Sequence, residues 1–310
     1  MSKDLQNGPE GDGSFKRKPS TFRNIIEKGG KFEPEKGRYH LYVAFSCPWA
    51  HRTLITRQLK GLEDIISVLV VSPRMDSDGW PFANVDPFPG ADIDTLYHAS
   101  HLKELYHKVD PNFDGKFTVP VLWDKKLQTI VNNESSEIIR ILNTAFNEFI
   151  SPAKATTNLY PEQYRTEIDQ LNEWVYDGLN NGVYKAGFAE TQQAYEKAVL
   201  AVFTSLDRLE SLLAGKDFLV GGQLTEADVR LYVTIVRFDV VYVGKFKCNL
   251  RTIRDGYPNI HRWLRKLYWE NPAFKSTTNF EHIKGGYYSM KSLNPRLIVP
   301  VGPKPDIEPL

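Results

Sequence analysis

One short span does most to limit the fold. RYHLYVAF (38–45) is rich in the Tyr, Val and Phe that strands favour. PWAHRTLITRQLK (48–60) then carries Ala50, Leu54 and Ile55 at helical spacing, and IISVLVV (65–71) is a continuous apolar run. Such a run reads as a strand buried on both faces of a parallel sheet. Pro48 suits a first helical residue, whose N–H would be unbonded anyway, and Gly61 ends the helix. The sequence therefore predicts strand, helix and strand between residues 38 and 71.

Further along, LYHASHLKELYHKVD (96–110) reads as a helix, and TVPVLWDKKLQTIVNN (118–133) as two strands joined by a charged turn. SSEIIRILNTAFN (135–147) is a helix with Ile138, Ile139, Ile141, Leu142 and Phe146 on one broad face. The order β-α-β-α-β-β-α is that of an α/β thioredoxin-like domain, expected over 38–150. The Pro-, Gly- and Asp-rich stretch 72–95 is too long for a simple connection. Residues 1–37, rich in Gly, Pro and charge, read as an irregular arm.

Beyond a linker at 148–160 the pattern is wholly helical, giving an all-α C-terminal domain over 160–290. Tyr164, Ile168, Leu171, Val175 and Leu179 repeat every three or four positions, as do Ala198, Val202, Leu206, Leu209 and Leu213. In LTEADVRLYVTIVRF, Thr225 caps a helix and Asp228 reaches back to it. The proline-rich tail 291–310 is expected to lie extended over the surface.

A chain of 310 residues suits two domains. The net charge of +1 points to neither nucleic acid nor an anionic membrane. No apolar run approaches the length of a membrane span, and the first residues lack the apolar segment of a secretory signal. Two distant cysteines make no disulfide framework, so a reducing, cytoplasmic setting is expected.

In that setting Cys47 stands out. It follows the first strand and precedes Pro48, at a helix start whose free N–H groups and dipole favour a thiolate. A dithiol site would place a second cysteine at position 50, where the chain has Ala50. The chemistry expected is monothiol: Cys47 takes up a partner sulfur and needs an external thiol for release. A packed, inert cysteine is the plain alternative. Val119 and Pro120, in TVPV, suit the thioredoxin-type loop in which a cis proline faces the cysteine and the preceding peptide pairs with a ligand backbone. Glu134 and Ser135 head a helix whose amides can hold a carboxylate; together they match the ammonium and carboxylate of a free α-amino-acid end. A plain capping pair would look the same.

CPWAHR, TVPVLWDKK and TIVNNESSEIIRIL, in this order, resemble the Xi-class glutathione transferases, the glutathionyl-hydroquinone reductases. So do DGWPF, NNGVYKAGFA, VVYVGKFKCNL and NPRLIVPVGP, and the likeness runs from Lys36 to Pro303. The resemblance implies the two-domain glutathione transferase fold, a homodimer, and glutathione as co-substrate with aromatic glutathione conjugates as partners. It implies that Trp80 stacks over the tripeptide, that Val119 pairs with its backbone, and that Glu134 and Ser135 take the γ-glutamyl end. It places Tyr184, Tyr242 and either Tyr287 or Tyr288 in an aromatic pocket from the helical domain. Lys103 and Lys108 are the basic residues open for the glycine carboxylate. Gly286 and Ser289–Lys291 depart from the family's pattern around the paired tyrosines. An omega-like thioltransferase or dehydroascorbate reductase would share Cys47 without needing the tyrosines, and a non-catalytic glutathione- or ligand-binding module would need neither. His98 and His101 lack a third ligand, so no metal is expected, and Cys248 reads as structural.

Overall fold

The computed structural model describes residues 11–310; the first ten residues of the arm expected over 1–37 lie outside that range. By its contacts the described chain forms two compact units. One comprises 19–158 with Thr277–Val299; the other comprises the described residues up to Lys18, Leu159–Ser276 and Pro300–Leu310. The arm passes from one unit to the other between Lys18 and Pro19, and the tail does so after Val299.

The first unit is built on a four-stranded sheet of order β2-β1-β3-β4. The strands are β1 (Tyr39–Val43), β2 (Ser67–Val70), β3 (Val121–Asp124) and β4 (Thr129–Asn132). β2 runs parallel to β1, and β3 and β4 are antiparallel to their neighbours. All five residues of β1 are buried, as its unbroken apolar and aromatic run requires. The helices are α1 (Pro48–Leu59), α2 (Leu102–Val109) and α3 (Ser135–Thr144), in the predicted order. Gly61 has φ +66 and ends α1 as glycine allows. The arm covers the open edge of β4: Asn24 N donates to Val131 O at 3.0 Å and Asn133 N to Phe22 O at 3.0 Å. Edge strands left bare pair with other chains, so the arm is irregular in form but fixed in place.

Only the second half of the helix expected over 96–110 forms. The buried Asp94 carboxylate accepts from the backbone N of Leu96 and Ala99 at 3.1 Å and of Tyr97 at 3.3 Å. That holds 95–99 in a non-helical turn, and His98 sits at φ +55. The helix starts only after His101, where Glu104 accepts from His101 N at 3.0 Å. The long stretch 72–95 is likewise tied down by carboxylates. Asp86 accepts from Ser72 and Arg74, and Asp92 from Val70 N at 2.8 Å.

After the short α4 (Pro152–Ala155), the second unit contains α5 (Arg165–Val175), α6 (Gly182–Gly187), α7 (Gln192–Leu212), α8 (Glu226–Arg237), α9 (Val243–Lys245), α10 (Ile253–Gly256) and α11 (Pro258–Glu270). Pro272 stops α11 but also opens α12 (Pro272–Thr277). α5 and α8 both run into single π-helical turns, Tyr176–Asn180 and Phe238–Tyr242. The Thr225 cap forms: Asp228 accepts from Thr225 N and from Leu219 N at 3.0 Å, and from Trp263 Nε1 at 3.1 Å. Burial pushes the Asp228 carboxyl up to about 6 despite these donors. The tail lies along α10 and α11, with Arg254 Nη2 donating to Pro305 O at 3.1 Å and Trp269 Nε1 to Glu308 O at 2.8 Å. Among the described residues no helix is long and apolar enough to cross a membrane.

The last helix, α13 (Phe280–Tyr288), packs within the first unit. A Cβ on its Gly286 would stand 2.8 Å from Ser46 Cβ and 3.0 Å from Pro73 O. His282, fully buried on the same helix, hydrogen-bonds Pro89 O at 2.7 Å through Nε2.

Two substitutions test this packing. Asp228→Ala strands buried donors and should cost about 3 kcal/mol, read as a lower urea midpoint. Gly286→Ala should cost about 1–3 kcal/mol because neither Ser46 Cβ nor a backbone carbonyl can yield easily. Its thermal midpoint should fall, and the alkylation rate of Cys47, one residue beyond Ser46, should change with it. A wild-type midpoint would show that α13 does not sit so closely on that loop.

Candidate functional site

β1 ends at Val43, and a tight turn leads into α1: Cys47 N donates to Ala44 O at 3.1 Å. Cys47 is the N-cap of α1, extended at φ −78 and ψ 120, with Pro48 as the first helical residue. Its carbonyl receives the first helical bond, from His51 N at 3.0 Å. The thiol at this helix start is half-buried. Ala50, where a resolving cysteine would stand, is fully buried. Cys47 Sγ lies 3.5 Å from the carbonyl oxygen of Val119, and the Val119–Pro120 peptide is cis. The loop before β3 thus faces the thiol, as the TVPV motif predicts.

Cys248 is free and fully buried, and burial pushes its thiol up to about 12. That keeps it protonated and inert.

α3 starts beside α1. Glu134 is its N-cap, and its carboxylate accepts from Ser136 N at 3.0 Å and from Ser136 Oγ at 2.9 Å. Burial works against ionisation here. The Ser136 bonds, a third from Ser20 Oγ at 3.0 Å and the charge of Arg52 outweigh it and hold the carboxyl below its usual range. Ser135 is buried, and Arg52 Nη1 approaches its Oγ at 3.4 Å. Arg52 comes from α1 and lies over the Trp49 ring, 4.6 Å from its centroid. One helix start thus gathers an ionised carboxylate, a hydroxyl and a guanidinium. It can take the two opposite charges of an amino-acid end.

Trp80 is half-buried against the core of the first unit, and its carbonyl accepts from Leu102 N at 2.9 Å. The two lysines considered for a second carboxylate are engaged elsewhere: Lys103 pairs with Asp78, and Lys108 lies 4.9 Å from the Tyr97 ring centroid. His101, expected to have no third ligand near it, meets Asp76 at 2.9 Å, and Asp78 completes a cluster within 4.8 Å. Both carboxylates come from the 72–95 stretch, whose fold the sequence did not reveal. Each already faces a nitrogen of the chain itself.

The tyrosines divide between the units. Tyr287 and Tyr288, expected from the helical domain, lie on α13 with the first unit, and both are buried. Burial raises the Tyr288 hydroxyl. Tyr184, half-buried, and Tyr242, fully buried, belong to the second unit. There they form an aromatic cluster: Tyr242 stacks on Phe246 at 5.3 Å, and Tyr184 meets Tyr242 at 6.2 Å and Phe246 at 5.3 Å. Arg17 of the arm lies 4.9 Å from the Tyr184 ring centroid and donates to Asn181 Oδ1 at 3.0 Å. The sequence reading missed Ser20, Arg17 and Arg52. For Arg52 the signal was there, a basic residue one turn beyond Cys47. Ser20 and Arg17 have no local signal.

The glutathione S-transferase N-terminal domain model matches residues 46–145, and the C-terminal domain model matches 192–266. The crystal structure of the glutathione-S-transferase Xi from Phanerochaete chrysosporium superposes with a TM-score of 0.96 at 69% identity, covering 97% of this chain and 96% of that one. Glutathione S-transferase omega-like 2 of Schizosaccharomyces pombe is 55% identical, over 96% of each chain. The glutathionyl-hydroquinone reductase YqjG of Escherichia coli is 52% identical over 96% of this chain and 91% of its own; its glutathione-bound structure superposes with a TM-score of 0.88. Both halves of the chain are accounted for, and the Cys47, TVPV and Glu134–Ser135 segments all fall inside the N-terminal match. The chain belongs to the glutathione transferase family, in its Xi class.

Proposed function

We propose that this protein is a glutathione-dependent reductase that removes glutathione from glutathionyl-hydroquinones. The observation that carries this reading is a lone cysteine at the start of α1, with a buried alanine where a resolving thiol would stand. Relatives named as glutathionyl-hydroquinone reductases, YqjG and PcpF, support it at 52% and 50% identity. The omega-like name borne by other relatives is less specific, since a thioltransferase needs only the cysteine.

Glutathione binds in the first unit. Glu134 takes its ammonium, Ser135 and the α3 amides take its α-carboxylate, Val119 pairs with its backbone beside Pro120, and Trp80 covers it. Cys47 thiolate attacks the sulfur of the conjugate. A sulfur–sulfur bond forms, the sulfur–aryl bond breaks, and its electron pair passes to the ring carbon, which takes up a proton. Hydroquinone leaves, and Cys47 is held as a mixed disulfide with glutathione. The thiolate of a second glutathione attacks that disulfide, giving oxidised glutathione and freeing Cys47. Tyr184, Tyr242, Tyr287 and Tyr288 are assigned to the hydroquinone: a phenol ring stacks on it and a phenol hydroxyl can hydrogen-bond its oxygens. Aromatic glutathione conjugates are the partners of this reading, and a cytoplasmic homodimer is its setting.

Cys47→Ser should abolish turnover of a glutathionyl-hydroquinone by more than about a thousandfold, because an alcohol cannot form the mixed disulfide. Its circular dichroism and thermal midpoint should stay near wild type. Substantial turnover in that variant would overturn the covalent route, and binding without any turnover in the wild type would favour the non-catalytic module.

A further inference from the structure

The Glu134 carboxylate is held from two distant parts of the chain. Its Oε1 accepts both Ser136 bonds, whereas Oε2 accepts from the hydroxyl of Ser20, 114 residues earlier in the sequence. A carboxylate offers about two acceptor positions on each oxygen. Oε1 is therefore filled by its own helix, and Oε2 keeps one open position beside the Ser20 bond. That is the oxygen open to an incoming ammonium. Ser20 is held there by the pairing of the arm along β4, with Phe22 N donating to Asn133 Oδ1 at 3.0 Å and Asn132 Nδ2 to Asn24 O at 3.0 Å.

We propose that Ser20 is a positioning residue for glutathione capture: its hydroxyl fixes the orientation of the Glu134 carboxylate. The N-terminal arm thereby completes a site that the thioredoxin-like fold alone would leave loose. This rests on the reading that Glu134 holds the γ-glutamyl ammonium. Burial by itself opposes ionisation of Glu134, so each donor to the charged form matters. The charged groups around it are Arg52 from α1, Arg23 from the arm and Glu137 one turn along α3. Arg23 and the Asn132 amide already hold Glu137, so its charge is largely balanced. Removing the Ser20 donor takes away one of the forces that keep the Glu134 carboxyl low. Its pKa should rise, and ammonium capture should then fail at a higher pH than in the wild type.

The test compares Ser20→Ala, Ser20→Thr and Glu134→Gln in the full chain, with glutathione affinity measured by calorimetry from neutral pH down through the ordinary carboxylate range. Ser20→Ala should weaken glutathione about tenfold, equivalent to about 1.4 kcal/mol. It should move the acid limb of binding upward in pH and leave kcat at saturating glutathione unchanged. Ser20→Thr, which keeps the hydroxyl, should restore both affinity and acid limb. A lowered thermal midpoint in Ser20→Ala with wild-type affinity and acid limb would overturn the proposal, since the hydroxyl would then only fasten the arm. Glu134→Gln separates this inference from the reading beneath it. Unchanged affinity there overturns the assignment of Glu134 and the role of Ser20 together. Weakened affinity there beside a wild-type Ser20→Ala overturns the role of Ser20 alone.

Discussion

The structure depends on how β1 turns into α1. The strand is buried on both faces, so its end is fixed by the core. Pro48 sets the backbone of the first helical residue, and Ala50 is locked into the interior. Between these constraints Cys47 is the cap of the helix, with its sulfur half-buried at the helix start. The Val119 carbonyl meets it from the neighbouring loop. Gly286 lets α13 close on the preceding Ser46, because no other residue leaves room there.

The second constraint is charge. An ionised carboxylate that is mostly buried persists only if donors and a cation compensate for lost water. At Glu134 they come from Ser136 in its own helix, Arg52 in α1 and Ser20 in the arm. The result is a fixed negative charge beside the hydroxyl of Ser135, a pairing suited to a zwitterionic amino-acid end. Opposite logic governs Cys248, where burial outweighs the charge of Lys247 and leaves a thiol that does not react.

Elements governed by local pattern were legible in the sequence. The β1–α1–β2 unit, the two strands around the 124–128 turn, α3 and the Thr225–Asp228 cap all follow from periodicity and capping chemistry, and all are present. Cys47, Val119 with the cis Pro120, and Glu134 were legible for the same reason. What escaped depends on contacts between distant residues. The helix expected from 96 is cut short because Asp94 captures three backbone donors that a helix would have used. The π-helical turns ahead of Tyr184 and at Tyr242 leave no mark on a pattern of apolar spacing. α13 reads as one more amphipathic helix, and nothing in its own residues tells that it packs with the first unit. Ser20 is an ordinary serine until β4 brings Glu134 to it.

The central claim is that one thiol carries the glutathionyl group between two substrates. Mixing the protein with one equivalent of a glutathionyl-hydroquinone, with no free glutathione, and following intact mass and released hydroquinone tests it directly. One glutathione should be added per chain, mapped to Cys47, with a matching amount of hydroquinone set free and the adduct removed when glutathione is added. Hydroquinone release without an adduct, or an adduct on Cys248, would contradict it.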